Sequence, residues 1–551
     1  MATSRQALFR AVIDASRRGD RSGMERAGEV LLAAAPGDPA ALGLVGTLAC
    51  QAGDVERGCA LLVRGLGHAP GNRDLRHNAI RALFDLGRLD EAVTLCGDDT
   101  ATLLALGRAL NLAGRSREAL VPLSAAMRVA PADPEILVAL GLTQANLGGF
   151  IAAERAYRLA LEAAPEFGPA VLNLGILLEQ SNRADELAGL TGVREHPYLR
   201  ALIERHAGRF AEALALAETV GDEVDASLRA QLIGQLAERL GQSETAFAAF
   251  EAMNRAVAAD PASRVVNAAE YREGIEARTA RLTPARVSGW SRIEIELARP
   301  APVFLVGFPR SGTTLLDTIL MGHPGVAVLE EEPVLQRVQE ALGDPARLGE
   351  LTSEEANALR TLYFEALDER RGTAGRLMID KLPLNIVRAE LIHRIFPDAR
   401  FLLALRDPRD AVLSCFMQNF KINAAMANFL DLGDAARLYA TAFRHWQRCA
   451  ELLPLNVHTI RYEDLLDDPE AVLRPLMRFL GLEWDDRLLA HTDTAAKRGL
   501  IRTPSYGQVT QPLYRRAAGR WTRYAKQLAP VLPLLDPWAR RWGYAAGLPH
   551  G

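Results

Sequence analysis

Cysteine is scarce and scattered in this sequence. The 551 residues hold five, at Cys50, Cys59, Cys96, Cys415 and Cys449. An odd number without paired short spacings offers neither a disulfide framework nor a metal-ligand set, so no metal is expected. They read instead as small buried hydrophobes in a reducing compartment. No uninterrupted apolar core follows Met1, and no run approaches the ~18 charge-free apolar residues that cross a bilayer. The expectation is a cytoplasmic protein without a membrane span. An excess of positive charge is missing too: 64 Lys and Arg stand against 68 Asp and Glu, a formal net charge of −4. That argues against a chain that coats nucleic acid or acidic membranes, while leaving room for a local basic pocket. What is present is the balance of a folded protein, 49% apolar and 24% charged, in a chain too long for one hydrophobic core.

The first half repeats. Pro36 and Pro70, and again Pro131 and Pro165, stand 34 residues apart, as do Gly107, Gly141 and Gly175, and Gly114 and Gly148. In the unit beginning at Pro134, Leu137, Leu140, Gly141, Gly148, Ala153, Tyr157, Ala160 and Pro165 occupy positions 4, 7, 8, 15, 20, 24, 27 and 32. This resembles the tetratricopeptide repeat, an antiparallel helix pair. Small residues at positions 8 and 20 allow close approach, large apolar ones fill between, and proline ends the second helix. Units start near residues 5, 39, 73, 100, 134, 194 and 227. The one at 73 is short, predicting a clipped second helix, and 168–193 keeps only Gly175 of the pattern. One such unit cannot bury its apolar face, so the units stack into a superhelix whose groove usually holds a peptide or protein segment. A spacer or homodimerisation role is the alternative.

After about Val265 the period is lost. A charged helical linker over 266–299 leads to short apolar runs at Val303–Phe308, Val326–Leu329, Leu377–Ile379, Phe401–Leu405 and Val457–Ile460. Helical patterns separate them. That alternation predicts a parallel, three-layer α/β domain over 300–551, beside a repeat domain over 1–265, with its ligand beyond the C-terminal strand ends.

The run ending at Gly307 reads as a buried strand, Phe308-Pro309-Arg310-Ser311-Gly312 as a turn, and Thr313-Thr314-Leu315 as the start of a helix. A helix N-terminus offers unpaired N–H groups and a favourable dipole to an anion, and Arg310, Ser311, Thr313 and Thr314 add donors. The spacing of Gly307 and Gly312 is that of a Walker A loop, yet Thr313 occupies the lysine position. The loop is P-loop-like without being a nucleoside-triphosphate loop. Pro-Arg-Ser-Gly-Thr-Thr-Leu is similar instead to the loop of sulfotransferases, which grips the 5′-phosphosulfate of 3′-phosphoadenosine 5′-phosphosulfate (PAPS).

A second signature, Arg406-Asp-Pro-Arg409-Asp-Ala-Val-Leu-Ser414, runs from a strand end into a helix. The resemblance implies that Arg406 and Ser414, eight residues apart, hold the 3′-phosphate; an arginine fork suits phosphate by paired hydrogen bonds. His323-Pro324 followed by Glu330-Glu331-Glu332 resembles the tyrosylprotein sulfotransferases, and the alignment implies that Glu331 is the catalytic base, with Glu330 its rival. Mutual repulsion among three adjacent carboxylates would favour such a role. Lys381, in Asp380-Lys381-Leu-Pro383, then matches the lysine that steadies the transferring sulfuryl group beside Arg310. Tyr462 takes a nucleotide-contacting position, and Ser505 and Arg520 match a serine and a cation of the segment that folds over the nucleotide. The resemblance covers about 300–525. Gln418 departs from it by replacing a family arginine, and the repeats are foreign to the animal tyrosine-modifying enzymes.

The implied function is sulfuryl transfer from PAPS, without a metal, to an acceptor hydroxyl such as a protein or peptide tyrosine recruited by the repeats. Two other readings stand beside it. A P-loop phosphotransferase or nucleotide kinase lacks its lysine at Thr313, and a repeat scaffold with an inactive domain would not need Glu331 and Lys381.

Overall fold

The computed structural model describes residues 4–260, 263, 266–296, 299–368, 375–497 and 518–545. They form two compact units, Met1–Glu179 with Asp185–Leu199, and Gln180–Ala184 with Arg200–Gly551.

The first unit is an array of antiparallel helix pairs of tetratricopeptide type. Arg5–Arg17 pairs with Arg21–Ala34, Pro39–Gln51 with Val55–His68, Arg73–Asp85 with Leu89–Cys96, Thr100–Leu112 with Ser116–Val129, and Pro134–Asn146 with Phe150–Ala163. The phased glycines explain the pairing. A Cβ on Gly141 would sit 2.4 Å from the Tyr157 ring, and one on Gly107 would sit 2.4 Å from Leu123. Gly148, at the turn between the last of these pairs, has φ of 80°, which a side chain disfavours. Leu89–Cys96 has eight residues, the clipped helix that the short unit predicts. Over 168–193 the first helix, Gly168–Gln180, is complete and the second, Ala184–Ala188, has shrunk to five residues. The pattern fades there because half of the pair is gone. Gly175 survives because a Cβ would meet Leu199 at 2.7 Å.

The second unit is a parallel α/β domain with helices built onto it. Five strands, β1 (Val303–Gly307), β2 (Val326–Glu330), β3 (Leu377–Lys381), β4 (Arg400–Leu405) and β5 (Asn456–Arg461), make one sheet in the order β2-β3-β1-β4-β5. Every pairing is parallel, with Glu330 opposite Lys381 and Gly307 opposite Ala404. Alternate side chains of β1 feed different layers. Phe304 and Val306 enter one buried cluster, and Val303 and Leu305 another, with Leu315, Ile319 and Met477.

The change of sequence period near 265 and the edge of this unit do not coincide. Helices α1 (Ala226–Arg239) and α2 (Ser243–Ala259), the last repeat pair, and α3 (Ala268–Arg281), in the segment between repeats and sheet, pack into the same core. Ala237, Phe250, Met253 and Ile275 share a buried cluster with Phe304, Leu403 and Val412. Among the described residues, no helix is long and apolar enough to cross a membrane.

The sheet holds its layers at close range through Gly307. A Cβ there would lie 2.5 Å from the backbone oxygen of Ala404, which cannot swing aside as a side chain could. Gly307→Ala is expected to lower the urea midpoint by the equivalent of about 1–3 kcal/mol. Gly274→Ala, in α3 with nothing within 4 Å of the new Cβ, is expected to leave it unchanged or raise it.

Candidate active site

All five strands end on the same side of the sheet, and their C-terminal ends carry most of the polar residues singled out in the sequence. From β1 the chain passes through Phe308–Gly312 into α4 (Thr313–Met321). Ser311, Thr313 and Thr314 are buried at this helix start. Gly312 has φ of 86°, and a Cβ there would press to 2.4 Å from the Tyr462 ring, so only glycine suits both demands. Three non-glycine residues in the described chain have positive φ, and two of them are Arg310 (68°) and Glu331 (50°). Left-handed backbone costs about 1–2 kcal/mol for an ordinary residue, so each must be held. The Arg406 guanidinium donates to the Arg310 carbonyl at 2.9 Å. The Glu331 N–H donates to the Lys381 carbonyl at 2.7 Å, just past the end of the β2–β3 ladder.

Lys381 is the electrostatic centre. Its side chain is 0% exposed, and its ammonium lies 3.1 Å from Asp317, 3.3 Å from Glu330 and 2.9 Å from Glu331. An ammonium has three donors, and three carboxylates surround it. Burial alone would push its pKa down; Asp317, Glu331 and Glu330 more than offset this and hold it above the usual lysine range. The expected mutual repulsion among Glu330, Glu331 and Glu332 is therefore met by a buried cation between two of them. Asp317, also 0% exposed, went unnoticed in the sequence. Its signal was an isolated charge inside the otherwise uncharged helix α4.

The other expected clamp meets the loop. Arg310 Nε donates to Ser414 Oγ at 3.1 Å, and Arg406 lies over the Tyr462 ring at 5.1 Å from its centroid. Arg310, Ser414, Arg406, Tyr462 and Gly312 thus form one neighbourhood. Ser414 sits on α5 (Pro408–Phe416), capped at its start by Asp407. The remaining charges of Arg-Asp-Pro-Arg-Asp-Ala serve the scaffold. Arg409 forks onto Asp407 at 2.9 and 2.6 Å and stacks 3.9 Å over Trp521. Asp410 accepts the backbone N–H groups of Gly519 and Trp521, both at 2.7 Å, and burial raises its pKa to about 6. Glu463 accepts from the Asp407 N–H at 3.1 Å and the Tyr544 hydroxyl at 2.6 Å.

Of the residues expected to fold over a nucleotide, Ser505 lies outside the described residues. Arg520 is described, and its guanidinium forks onto Glu238 of α1. His323 follows the end of α4, where its Nδ1 accepts from the Gly325 N–H at 3.0 Å.

Residues 302–486 match the model of the sulfotransferase family, so the second unit carries a sulfotransferase-family domain. An uncharacterized protein of Aquifex aeolicus is 30% identical over 251 residues, 43% of this chain, and the chain spans about a third (32%) of that relative. Protein-tyrosine sulfotransferase 2 of Gallus gallus is 26% identical over 279 residues, 46% of this chain and 75% of that protein. Among solved structures, the sulfotransferase domain of the Synechococcus PCC 7002 olefin synthase aligns with 45% of this chain and 98% of its own at 23% identity, with a TM-score of 0.33.

Beside Lys381, Asp380 is fully buried, accepts from the Tyr363 hydroxyl at 2.7 Å, and has its pKa raised by burial to about 7. A carboxyl raised in the folded state keeps its proton there while the unfolded chain has lost it. Its contribution to stability therefore falls as pH rises from about 4 to about 7 and is level above. Asp380→Asn is expected to remove that part of the slope. Urea midpoints of the variant should gain on the wild type between pH 5 and pH 8, and a constant difference would reject the assignment.

Proposed function

We propose that the protein transfers a sulfuryl group from PAPS to an acceptor hydroxyl, with a protein or peptide tyrosine as the acceptor that the names of its relatives suggest. The observation that carries the reading is the buried Lys381 ammonium bonded to Glu331 at the strand ends. It stands beside a phosphate-type loop that has no Walker lysine.

PAPS carries phosphate at both ends of its nucleotide and an activated sulfuryl group on the 5′ side. The residues fit such a group. Ser311, Gly312, Thr313, Thr314 and Arg310 would hold the 5′ side, and Arg406 and Ser414 the 3′-phosphate. The contact between Arg310 and Ser414 joins the two sets. Tyr462, against both Gly312 and Arg406, would border the nucleotide.

Glu331 takes the proton of the acceptor hydroxyl, a step general bases accelerate by about 10²–10⁴-fold. Arg310, Lys381 and the N–H groups at the start of α4 oppose the charge that builds on the sulfuryl oxygens. Catalysis is then positioning and charge neutralisation, as in phosphoryl transfer, with no covalent enzyme intermediate and no metal. Glu330, 3.3 Å from the same ammonium, is the rival base. Arg520 and Ser505 would complete the cover over the nucleotide, and the helix pairs of the first unit would recruit the acceptor.

Adenosine 3′,5′-bisphosphate is expected to bind in calorimetry, and labelled PAPS with a tyrosine-peptide library to yield labelled peptide. Glu331→Gln should lower kcat by about 10²-fold or more with bisphosphate binding intact, and Glu330→Gln by much less. Arg406→Ala should weaken bisphosphate binding at least tenfold. Stabilisation by ATP and magnesium, with none by the bisphosphate, would replace this reading with a phosphotransferase.

A further inference from the structure

A second cluster of reactive side chains shares no residue with the strand ends. Helix α6 (Ala389–Ile395) supplies Glu390, and α7 (Leu432–Leu452) supplies His445 and Cys449, four residues apart and so on one face. Glu390 Oε2 lies 2.8 Å from His445 Nε2; Cys449 Sγ lies 3.5 Å from that nitrogen and 3.9 Å from that oxygen. All three residues are buried. Thiol and carboxylate meet the same ring nitrogen, so the trio is not a relay that passes a proton across the imidazole.

The other ring nitrogen is already committed. His445 Nδ1 is 2.9 Å from Thr279 Oγ1 on α3, and the Thr279 hydroxyl donates to the Ile275 carbonyl at 2.8 Å. With its proton spent, Thr279 can only accept, so Nδ1 carries the hydrogen. Nε2 then faces an oxygen and a sulfur and needs a cation there, either its own proton or a metal. Arg278 holds the far oxygen, its Nε 3.4 Å from Glu390 Oε1, and leaves Oε2 aimed inward.

We propose that Glu390, His445 and Cys449 bind a zinc-class divalent cation through Oε2, Nε2 and Sγ. Ligand bonds of about 2.0–2.3 Å place these tetrahedral donors about 3.3–3.6 Å apart. The two sulfur separations lie at or near that value, and the Glu390–His445 pair opens by about half an ångström on exchanging a hydrogen bond for the ion. Charge is conserved. Without metal, Glu390 and His445 with one proton between them, beside the Cys449 thiol, sum to zero. With it, a carboxylate, a neutral imidazole, a thiolate and a divalent cation also sum to zero. One ion enters and two protons leave, so no net charge is added to the interior. Thiolate and imidazole select zinc or cobalt over magnesium or calcium. Thr279 orients the imidazole from outside, as metal-bound histidines require. Glu390 also borders a cavity of about 40 Å³ lined by Arg278, Arg281 and Trp290, on the side of its carboxylate that Arg278 holds. The ion would clip α3, α6 and α7 together.

The test reads metal directly and does not depend on sulfuryl transfer. The full-length protein, purified without chelator, is expected to carry about one equivalent of zinc by elemental analysis. Chelated protein given Co²⁺ should show the near-ultraviolet thiolate–cobalt band and a melting temperature several degrees higher. Cys449→Ser should abolish the band, and Cys96→Ser should keep it. Should a variant fail to fold, the chelated wild type decides. No zinc on purification, together with neither band nor thermal shift on adding Zn²⁺ or Co²⁺, overturns the proposal and leaves a hydrogen-bonded ion pair.

Discussion

A lysine with no exposed surface has to be met by charge from several directions, and the site around Lys381 is organised by that need. Taking an ammonium out of water costs several kcal/mol, and only close, well-oriented carboxylates offset it. Here they come from separate elements: Asp317 from the helix after the phosphate-type loop, and Glu330 and Glu331 from the end of β2. The β2–β3 register that sets Glu330 opposite Lys381 is therefore an electrostatic requirement as well as a hydrogen-bonding one. So is the seat of the loop helix, since a shift of α4 would strand both Asp317 and the lysine. Lysine is rare in this chain, present at Lys381, Lys421, Lys497 and Lys526 against arginine elsewhere. A compact point charge with three divergent donors suits three carboxylates better than a planar guanidinium fork would.

The strain at Arg310 and Glu331 follows from the same arrangement. Glu331 can reach back to the ammonium because its backbone turns left-handed at once after the strand, and the carbonyl of Lys381 itself holds the turn. Arg310 is held by Arg406 from the neighbouring strand end, so the loop and the second clamp are one structure. The six residues Arg406–Ala411 divide their labour. Arg406 faces the loop, while Asp407, Arg409 and Asp410 anchor the returning chain at Gly519 and Trp521. Local charge density in a motif thus overstates how many of its charges face the loop.

Legibility in the sequence followed the range of the interaction. Strand, turn and helix around Gly307–Thr314 are local patterns, and all five apolar runs became strands within a residue or two of their expected ends. The repeats were legible because a missing Cβ, as at Gly141 against Tyr157, recurs in phase. What escaped depends on partners distant in sequence. Asp317 is informative only once Lys381 is beside it, and Asp410 only once Gly519 returns. Glu390 stands 55 residues from His445, so the spacing of the cysteines could not reveal the cluster. Nor does the loss of the 34-residue period show that α1, α2 and α3 belong to the core of the sheet domain, because burial of their apolar faces does not depend on phase.

That last point bears on how repeats and chemistry are joined. The final repeat pair packs directly behind the helix that carries Ser414: Phe247 stacks on Phe416 at 5.1 Å, and Asn254 donates to the Phe416 carbonyl at 3.0 Å. Asn419, just beyond, donates to Ser227 of α1 at 2.8 Å. The same helix pair supplies Glu238, which holds Arg520 at the start of the returning segment. A flexible tether would need none of these contacts. A close-packed interior transmits displacement instead of absorbing it. The last repeat is therefore a wall of the domain that carries the candidate site, in contact with the helix that bears Ser414 and with Arg520.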